Sequence, residues 1–309
     1  MSDIWTMGEI LVEIMRPEVD MPLNEPGQFL GPFPSGAPAI FIDAAARLGH
    51  TAGIIGGVGQ DEFGDNCLTR LRGDGVNCDF VNVVPHRSTA VAFVSYFRDG
   101  SRKFIYHIDG TPAVQVDLSR LDSIETPRFL HVMGCSLMIN DAFRAQIFDV
   151  ADRLYRRGAQ ISFDPNVRPE LLAGRDIMDV VGPVLEKCSI LLPGASELKL
   201  VTGQDDVAEA VHKAFENPVL QTIVLKRGKA GCTVYTREEE IAIPAYEVEE
   251  VDPTGAGDCF DAGFLCGVLE GKSPLECGQM AAAAGALNAQ AFGPMEGAIS
   301  PAAVRAMTG

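Results

Sequence analysis

The sequence predicts an α/β protein, with a mostly parallel sheet covered by helices on both faces and non-helical, partly β insertions. Three observations point there. From residue 129 onward, short apolar runs alternate with longer stretches of helical period, the pattern of strands joined by crossover helices. Residues 16–34 and 88–112 break that pattern with β-prone runs, the first holding Pro17, Pro22, Pro26, Pro32 and Pro34. The chain has 309 residues and is 47% apolar, enough for one large domain with an insertion.

The elements follow in order. Ile4 to Ile14 alternates as a strand. Ala39 to Leu48 is helical, with apolar residues at 41, 42, 45 and 48 and Gly49 as its stop. Thr51 to Val58 is a strand, and Glu62 to Gly73 a helix with Phe63, Cys67, Leu68 and Leu71 on one face. Val91 to Phe97 and Lys103 to Ile108 flank Arg98-Asp-Gly-Ser-Arg102, which is hairpin chemistry. Strands then fall at 129–133, 160–163, 190–192 and 222–225, and helices at 141–157, 177–187 and 207–216. An acidic extended stretch runs from Ile241 to Val251. The last helices, 258–270 and 275–291, are rich in Ala and Gly and are expected to pack closely. No repeat or low-complexity segment is found.

Charge and cysteine usage narrow the class. A net charge of −17 repels nucleic acid. It leaves ATP open, because Mg²⁺ and a local cradle of N–H groups can neutralise phosphates. The cysteines at 67, 78, 135, 188, 232, 259, 266 and 277 include no C-x-x-C pair, and the histidines at 50, 86, 107, 131 and 212 are scattered, so no zinc site is expected. Cysteines in apolar runs read as reduced core residues of a cytoplasmic protein. The start, Met1-Ser2-Asp3-Ile4-Trp5, has no secretion signal, and no apolar run is long enough for a membrane span.

The most informative string is Asp252-Pro-Thr-Gly-Ala-Gly-Asp-Cys-Phe260, between the acidic stretch and a helix. Glycines at 255 and 257 let the backbone approach another atom with no Cβ in the way. The first N–H groups of a helix lack internal partners and point outward as anion ligands. Asp258 sets a carboxylate beside them. A base next to an anion cradle suits a reaction in which a hydroxyl loses its proton and attacks a phosphoryl group. The plainer alternative is a glycine-rich cap with Asp258 as a first-turn charge. The length of the string and its strand–turn–helix setting favour chemistry.

This segment resembles the D-T-G-A-G-D signature of the ribokinase-like (PfkB) carbohydrate kinases, with a Pro between Asp252 and Thr254. Gly56-Gly-Val-Gly-Gln-Asp-Glu-Phe-Gly64 is similar to the family's G-x-V-G-x-D-x-x-G, while Glu62 spoils a dinucleotide fingerprint and Cys266 a Walker loop ending at Gly271-Lys-Ser273. Asp164-Pro-Asn-Val-Arg168 resembles D-x-N-x-R, and Lys226-Arg-Gly-Lys-Ala-Gly231 the nucleotide loop. Read without the family, Arg168 is either a planar cation for phosphate and sugar oxygens or a surface residue after a turn. Lys226 and Lys229 are either nucleotide contacts or solvated charge.

The resemblance implies a three-layer α/β/α ribokinase-like domain spanning 1–309. Residues 16–34 and 88–112 would form a small β-sheet lid over the sugar and pair two copies into a homodimer. It implies ATP and Mg²⁺ as cofactors, with Asp258 as base, the N–H groups of Gly255, Ala256 and Gly257 stabilising the added charge, and Arg168 assisting. Sugar contacts fall to Glu13, Gly36, Ala37, Tyr106, Asp164, Asn166, Arg168 and Asp258. Nucleotide contacts fall to Lys226, Gly228, Gly231, Thr254, Gly255, Gly257 and Asn288. Glu197, in Leu192-Pro-Gly-Ala-Ser-Glu197, would hold Mg²⁺ through water, and Asp252 a monovalent cation such as K⁺. Ser35, Ile40 and Gly194 depart from the family pattern at a Gly and two Asn positions.

For the substrate, Tyr106 is present in Phe104-Ile-Tyr-His-Ile-Asp109, but no Arg follows it to pair with a sugar-acid carboxylate. The expected substrate is therefore a neutral ketohexose of fructose or tagatose type, phosphorylated on a primary hydroxyl. A 2-keto-3-deoxygluconate kinase is the runner-up, through Arg168. A nucleoside kinase and a non-catalytic sugar sensor are the other readings. His107 and Asp109 stand either on sugar hydroxyls or on the lid's outer face.

Overall fold

A computed structural model describes residues 3–98 and 101–309. Thirteen strands are found among them: β1 Ile4–Met7, β2 Leu11–Met15, β3 Leu30–Ser35, β4 Ala52–Gly59, β5 Asn77–Val84, β6 Ala90–Tyr96, β7 Arg102–His107, β8 Phe129–Met133, β9 Gln160–Asp164, β10 Cys188–Leu191, β11 Thr222–Lys226, β12 Cys232–Tyr235 and β13 Glu240–Ile243. Nine form one sheet in the order β13-β12-β11-β10-β9-β8-β1-β4-β5, and four form a second in the order β3-β2-β6-β7. In the large sheet every pairing from β11 through to β5 is parallel, and only β12 is reversed, pairing antiparallel with β11 and with β13. Two apolar clusters fill the two faces of this sheet. One packs Phe41, Phe264 and Ile54, and the other Phe143, Phe163 and Ile223. The helices Ala256–Leu269 and Pro274–Ala289 meet closely, as their composition predicts: a Cβ on Gly263 would lie 2.8 Å from the Met280 carbonyl oxygen.

Four expectations are corrected. Ile4 to Ile14 is not one strand, because β1 belongs to the large sheet and β2 to the small one. Gly8 N–H still donates to Ile55 O, after which Glu9 turns inward and the chain changes sheets. Period-two alternation persists across such a crossing, so periodicity cannot mark it. The small sheet therefore begins at Leu11, upstream of residue 16. The strand read from Ile241 to Val251 ends at Ile243, where Pro244 removes a ladder donor. The strands β5 and β12 and the helix Ala195–Thr202 lie where no element was expected. The hairpin turn read at Asp99-Gly100 and the chain start at Met1-Ser2 lie outside the described residues, although β6 and β7 do pair antiparallel.

All eight cysteines are buried and free, as their apolar settings predict. Among the described residues no helix is long and apolar enough to cross a membrane.

Candidate active site

The site lies where the carboxyl ends of the large sheet face the small sheet. At its centre Gly255 precedes the helix Ala256–Leu269 with φ 77°, a left-handed conformation. A Cβ there would lie 2.2 Å from Pro294 O, so only glycine fits. A Cβ on Gly257 would meet nothing within 4 Å, so that side of the turn is open to an incoming group. Among the described residues the N–H groups of Gly255 and Gly257 find no acceptor, whereas that of Ala256 donates to Pro253 O at 3.3 Å. Ala256 is thus a weaker anion donor than expected.

Asp258, in the first helical turn, is 7% exposed. Its Oδ1 accepts a hydrogen bond from Asn166 Nδ2 at 3.2 Å. Burial, and then the charge of Asp164, push its carboxyl up to about 7, against the pull of Arg168 and Lys226. Asp258 lines a cavity of about 50 Å³ together with Glu13, Gly36, Ala37, Tyr106, Arg168, Thr254 and Gly255. Eight of the expected site residues are therefore brought together. A larger groove of about 860 Å³ lies between the helices Ile177–Leu185 and Val207–Ala214. None of the expected site residues lines it.

Glu13 faces the cavity from β2. Its Oε1 accepts from Ser35 Oγ at 2.8 Å, which gives the serine that replaces the family's glycine a role. Its Oε2 is buried without a partner, and burial pushes the carboxyl up to about 7. Tyr106 stacks on Phe104 with ring centroids 5.2 Å apart, and the Arg168 guanidinium lies 5.9 Å from the Phe104 ring. His107 sits on the opposite side of β7, edge-on to Phe93, and Asp109 accepts from Asn140 Nδ2 at 2.7 Å. Neither lines the cavity: His107 lies on the side of β7 that carries Ile105, and Asp109 is tied to the cap of the helix Asp141–Arg156.

Several residues expected at ligands have polar atoms that bond inside the protein. Lys226 Nζ binds Asp164 Oδ2 at 2.7 Å and Asp261 Oδ1 at 3.1 Å, not an open nucleotide surface. Asp164 is correspondingly turned away from the sugar cavity, and Asn166 reaches Asp258. Asn288 is fully buried: its amide donates to Thr254 O at 2.8 Å and Pro294 O at 3.0 Å, bracing the glycine turn. Glu197 accepts from Val167 N at 2.7 Å and Gly194 N at 2.7 Å. Gly194 donates only its backbone N–H here, so an Asn side chain is not needed for this brace. Asp252, expected on a monovalent cation, instead accepts from Tyr96 OH at 3.0 Å, Thr254 N at 3.0 Å and Gly293 N at 2.9 Å. Gly231 passes against β13, where a Cβ would lie 2.0 Å from Ile243 O, and Gly228 is exposed outside the cavity. In the first glycine motif, Asp61 binds Gly64 N and Thr89, tying the helix Glu62–Gly73 to the start of β6.

Three residues at or beside the cavity went unrecognised. Glu9 is buried, with Oε2 accepting from Ser136 Oγ at 2.5 Å, and burial raises its carboxyl above the usual range. A glutamate inside an apolar run was its only signal. Tyr96, from β6, joins the small sheet to the glycine turn through Asp252 and through Thr254 Oγ1 at 2.6 Å. Arg102 lines the cavity, four residues before Tyr106 and on the same face of β7. The strand thus supplies its cation before Tyr106, not after it.

A buried carboxylate beside a glycine turn with free N–H groups, at the strand ends of a doubly covered α/β sheet, is an arrangement suited to phosphoryl transfer. The chain belongs to the pfkB family of carbohydrate kinases, whose family model matches residues 1–301. It is similar to fructokinase-1 of Oryza sativa subsp. japonica, at 30% identity over 274 residues, covering 88% of this chain and 84% of that one. It is similar to the structure of a putative ribokinase II from E. coli in complex with ATP and Mg²⁺, with TM-score 0.90, 37% identity and 99% of both chains covered. The fructokinase of Vibrio cholerae O395, in its fructose-, ADP- and calcium-bound form, shares the fold at TM-score 0.87 and 24% identity, covering 100% of this chain and 99% of that one. The protein is a sugar kinase with the ribokinase-like fold.

Proposed function

We propose that this kinase uses ATP to phosphorylate a primary hydroxyl of a ketohexose of fructose or tagatose type. One observation carries the reading: Asp258 shares its cavity with the buried, half-partnered Glu13 and stands beside the free N–H groups of Gly255 and Gly257. Glu13 Oε2 is placed to accept from a sugar hydroxyl. Asp258 takes the proton of the attacking hydroxyl, and the glycine turn stabilises charge on the transferred group. Arg168 supplies a further cation at the same cavity. The names of the relatives, fructokinases among them, support a ketose acceptor.

Mg²⁺, when bound, neutralises phosphate charge. Such ions are held by one or two carboxylates together with phosphates and water, and the half-buried Glu197, whose oxygens each accept one N–H, fits a water-mediated part. A monovalent cation near Asp252 would rest on backbone carbonyls, since three donors already use the carboxylate. The free cysteines support a reducing, cytoplasmic setting. The outer face of the small sheet exposes Phe29 and Ile105, beside Phe93, and a second copy of this chain is the proposed cover. Sedimentation measurements showing a monomer at micromolar concentration would remove the dimer.

A second reading has an observation of its own. Arg102 and Arg168 both line the cavity, so a 2-keto-3-deoxygluconate carboxylate would find the cations that the segment after Tyr106 lacks. ADP release measured with Mg-ATP over fructose, tagatose, 2-keto-3-deoxygluconate and adenosine separates the readings. A kcat/KM for the sugar acid more than tenfold above both ketoses replaces the first with the second. Turnover of adenosine alone, or of nothing, removes both.

A further inference from the structure

The lysine that ends β11 reaches across the end of β10 to the aspartate that ends β9. Lys226 Nζ lies 2.7 Å from Asp164 Oδ2 and 3.1 and 3.2 Å from the two oxygens of Asp261. The side chains of Asp164 and Asp261 are 3% and 0% exposed and that of Lys226 is 19% exposed, so both carboxylates are closed to solvent, and none of the three lines the cavity. From there a chain of bonds leads to the base. Asp164 Oδ1 accepts the N–H of Asn166 at 3.0 Å, which holds Asn166 in a left-handed conformation with φ 37°. In that conformation Asn166 Nδ2 donates to Asp258 Oδ1 at 3.2 Å.

We propose that Lys226 and Asp164 are positioning residues for the base, acting through Asn166 to fix the orientation and the local charge of the Asp258 carboxylate. The inference rests on the reading of Asp258 as base. Stability alone does not account for the cluster, since buried ion pairs are often no better than apolar residues of the same volume. Every member ends at the same strand edge as the base or, in Asp261, sits one helical turn behind it.

The charges around the base support the assignment. Asp258 is faced by Asp164 and Arg168 from the end of β9, Lys226 from β11 and Glu13 from β2, with Asp261 and Cys259 on its own helix and Cys135 opposite. Burial, and then Asp164, raise the base, while Arg168 and Lys226 lower it. Against the cost of burial, Lys226 holds Asp164 below the usual carboxylate range, and burial keeps Asp261 well above it. Of the two carboxylates, Asp164 makes the shorter contact to Lys226.

The test is the pH dependence of kcat and kcat/KM for Asp164→Asn and Asn166→Gly, the latter keeping the left-handed backbone while removing the amide. Both are expected to lower kcat about 10- to 100-fold, with the sugar KM within about threefold. Asp164→Asn also moves the acid midpoint of kcat/KM to lower pH, since it removes a negative neighbour of the base, a displacement that loosened packing does not produce. Asp164→Asn/Lys226→Met, which deletes both partners of the pair, is expected to turn over like Asp164→Asn alone, because the two act through one route. Full kcat in Asn166→Gly, an unmoved midpoint in a folded Asp164→Asn, or a raised KM at unchanged kcat overturns the proposal. If Asp258→Asn is inactive in the same assay, such a result removes only the positioning role. If Asp258→Asn is active, the base reading itself is wrong.

Discussion

The glycine turn and the small sheet meet at one cavity but are built on opposite terms. Around the turn every carboxylate or amide that supports it is bonded inside the protein: Asp252 to three donors, Asn288 to two carbonyls, Glu197 to two N–H groups. On the small-sheet side, Glu13 leaves one buried oxygen without a partner, and the space it faces holds only about 50 Å³. Ordinary small-molecule sites run to roughly 300 Å³ or more. On the proposed reading the phosphoryl half is preorganised, while the sugar half has to open before an acceptor enters. Preorganised donors act at the moment of reaction, and binding groups act before it, so damage to the two halves separates into kcat and KM.

The largest expected effect breaks the preorganised half. Asp258→Asn keeps the shape and the Asn166 contact but cannot take a proton. It should fold normally, keep the sugar KM within a few-fold and lose about 10²–10⁴ in kcat. Near wild-type turnover would remove Asp258 as base. The intact enzyme offers a companion measurement. With the carboxyl pushed up to about 7, the base is protonated below that pH. The kcat/KM of the wild type should then fall about tenfold per pH unit below the midpoint and level off above it. A flat profile from pH 5 to 8 contradicts this.

Gly255→Ala strikes the same half without touching a charge. Its φ of 77° and the 2.2 Å approach to Pro294 O force the turn to shift. Losing oriented donors at such a turn costs about 10²–10³ in kcat. A variant with wild-type kcat would show that the N–H groups of this turn do not stabilise the transferred charge.

Glu13→Gln sharpens the contrast from the other half. Burial lifts the Glu13 carboxyl to about 7 from an ordinary 4.5, so between those values the folded state holds a proton that the unfolded chain has lost. Stability therefore falls as pH rises through that window and stays lower above it. Glutamine removes this loss, so the variant should be more stable than wild type at pH 8, by at most about 3 kcal/mol, and equal to it near pH 4. Its sugar KM should rise about 10- to 100-fold, the worth of a charged hydrogen bond. Thermal unfolding at both pH values checks the first point and saturation kinetics the second. A variant less stable at pH 8 contradicts the burial argument.

The same contrast explains what could be read from the residues alone. The glycine turn was legible because its geometry is local: Thr254 to Asp258 are neighbours in the chain, and glycine at 255 answers a backbone constraint that a residue string can show. The parallel sheet was legible for a similar reason, since strand–helix alternation is periodic. What was not legible is long-range. The internal partners of Lys226 and Asn288, Asp164 and Thr254, lie 62 and 34 residues away. Arg102 and Glu9 join the cavity only through the pairing of β6 with β7 and the crossing from β1 to β2. Neither event leaves a mark on hydrophobic period.

The smallest expected effect tests the joint between the halves. Tyr96 is the residue of β6 whose hydroxyl reaches the glycine turn, touching Asp252 Oδ1 at 3.0 Å and Thr254 Oγ1 at 2.6 Å. Phenylalanine fills the same volume and removes only the oxygen. Asp252 keeps its bonds from Thr254 N and Gly293 N, so the turn should hold its shape. The loss is then that of one neutral contact, about 0.5–1.5 kcal/mol, or roughly two- to tenfold in the balance between closed and open small sheet. Amide exchange over residues 90–107 should quicken by that factor while exchange in the helix Ala256–Leu269 stays as it was. Equal quickening in both would mean that Tyr96 supports the turn itself, and no quickening in either would mean that the small sheet is held down by its apolar contacts and not by the phenol.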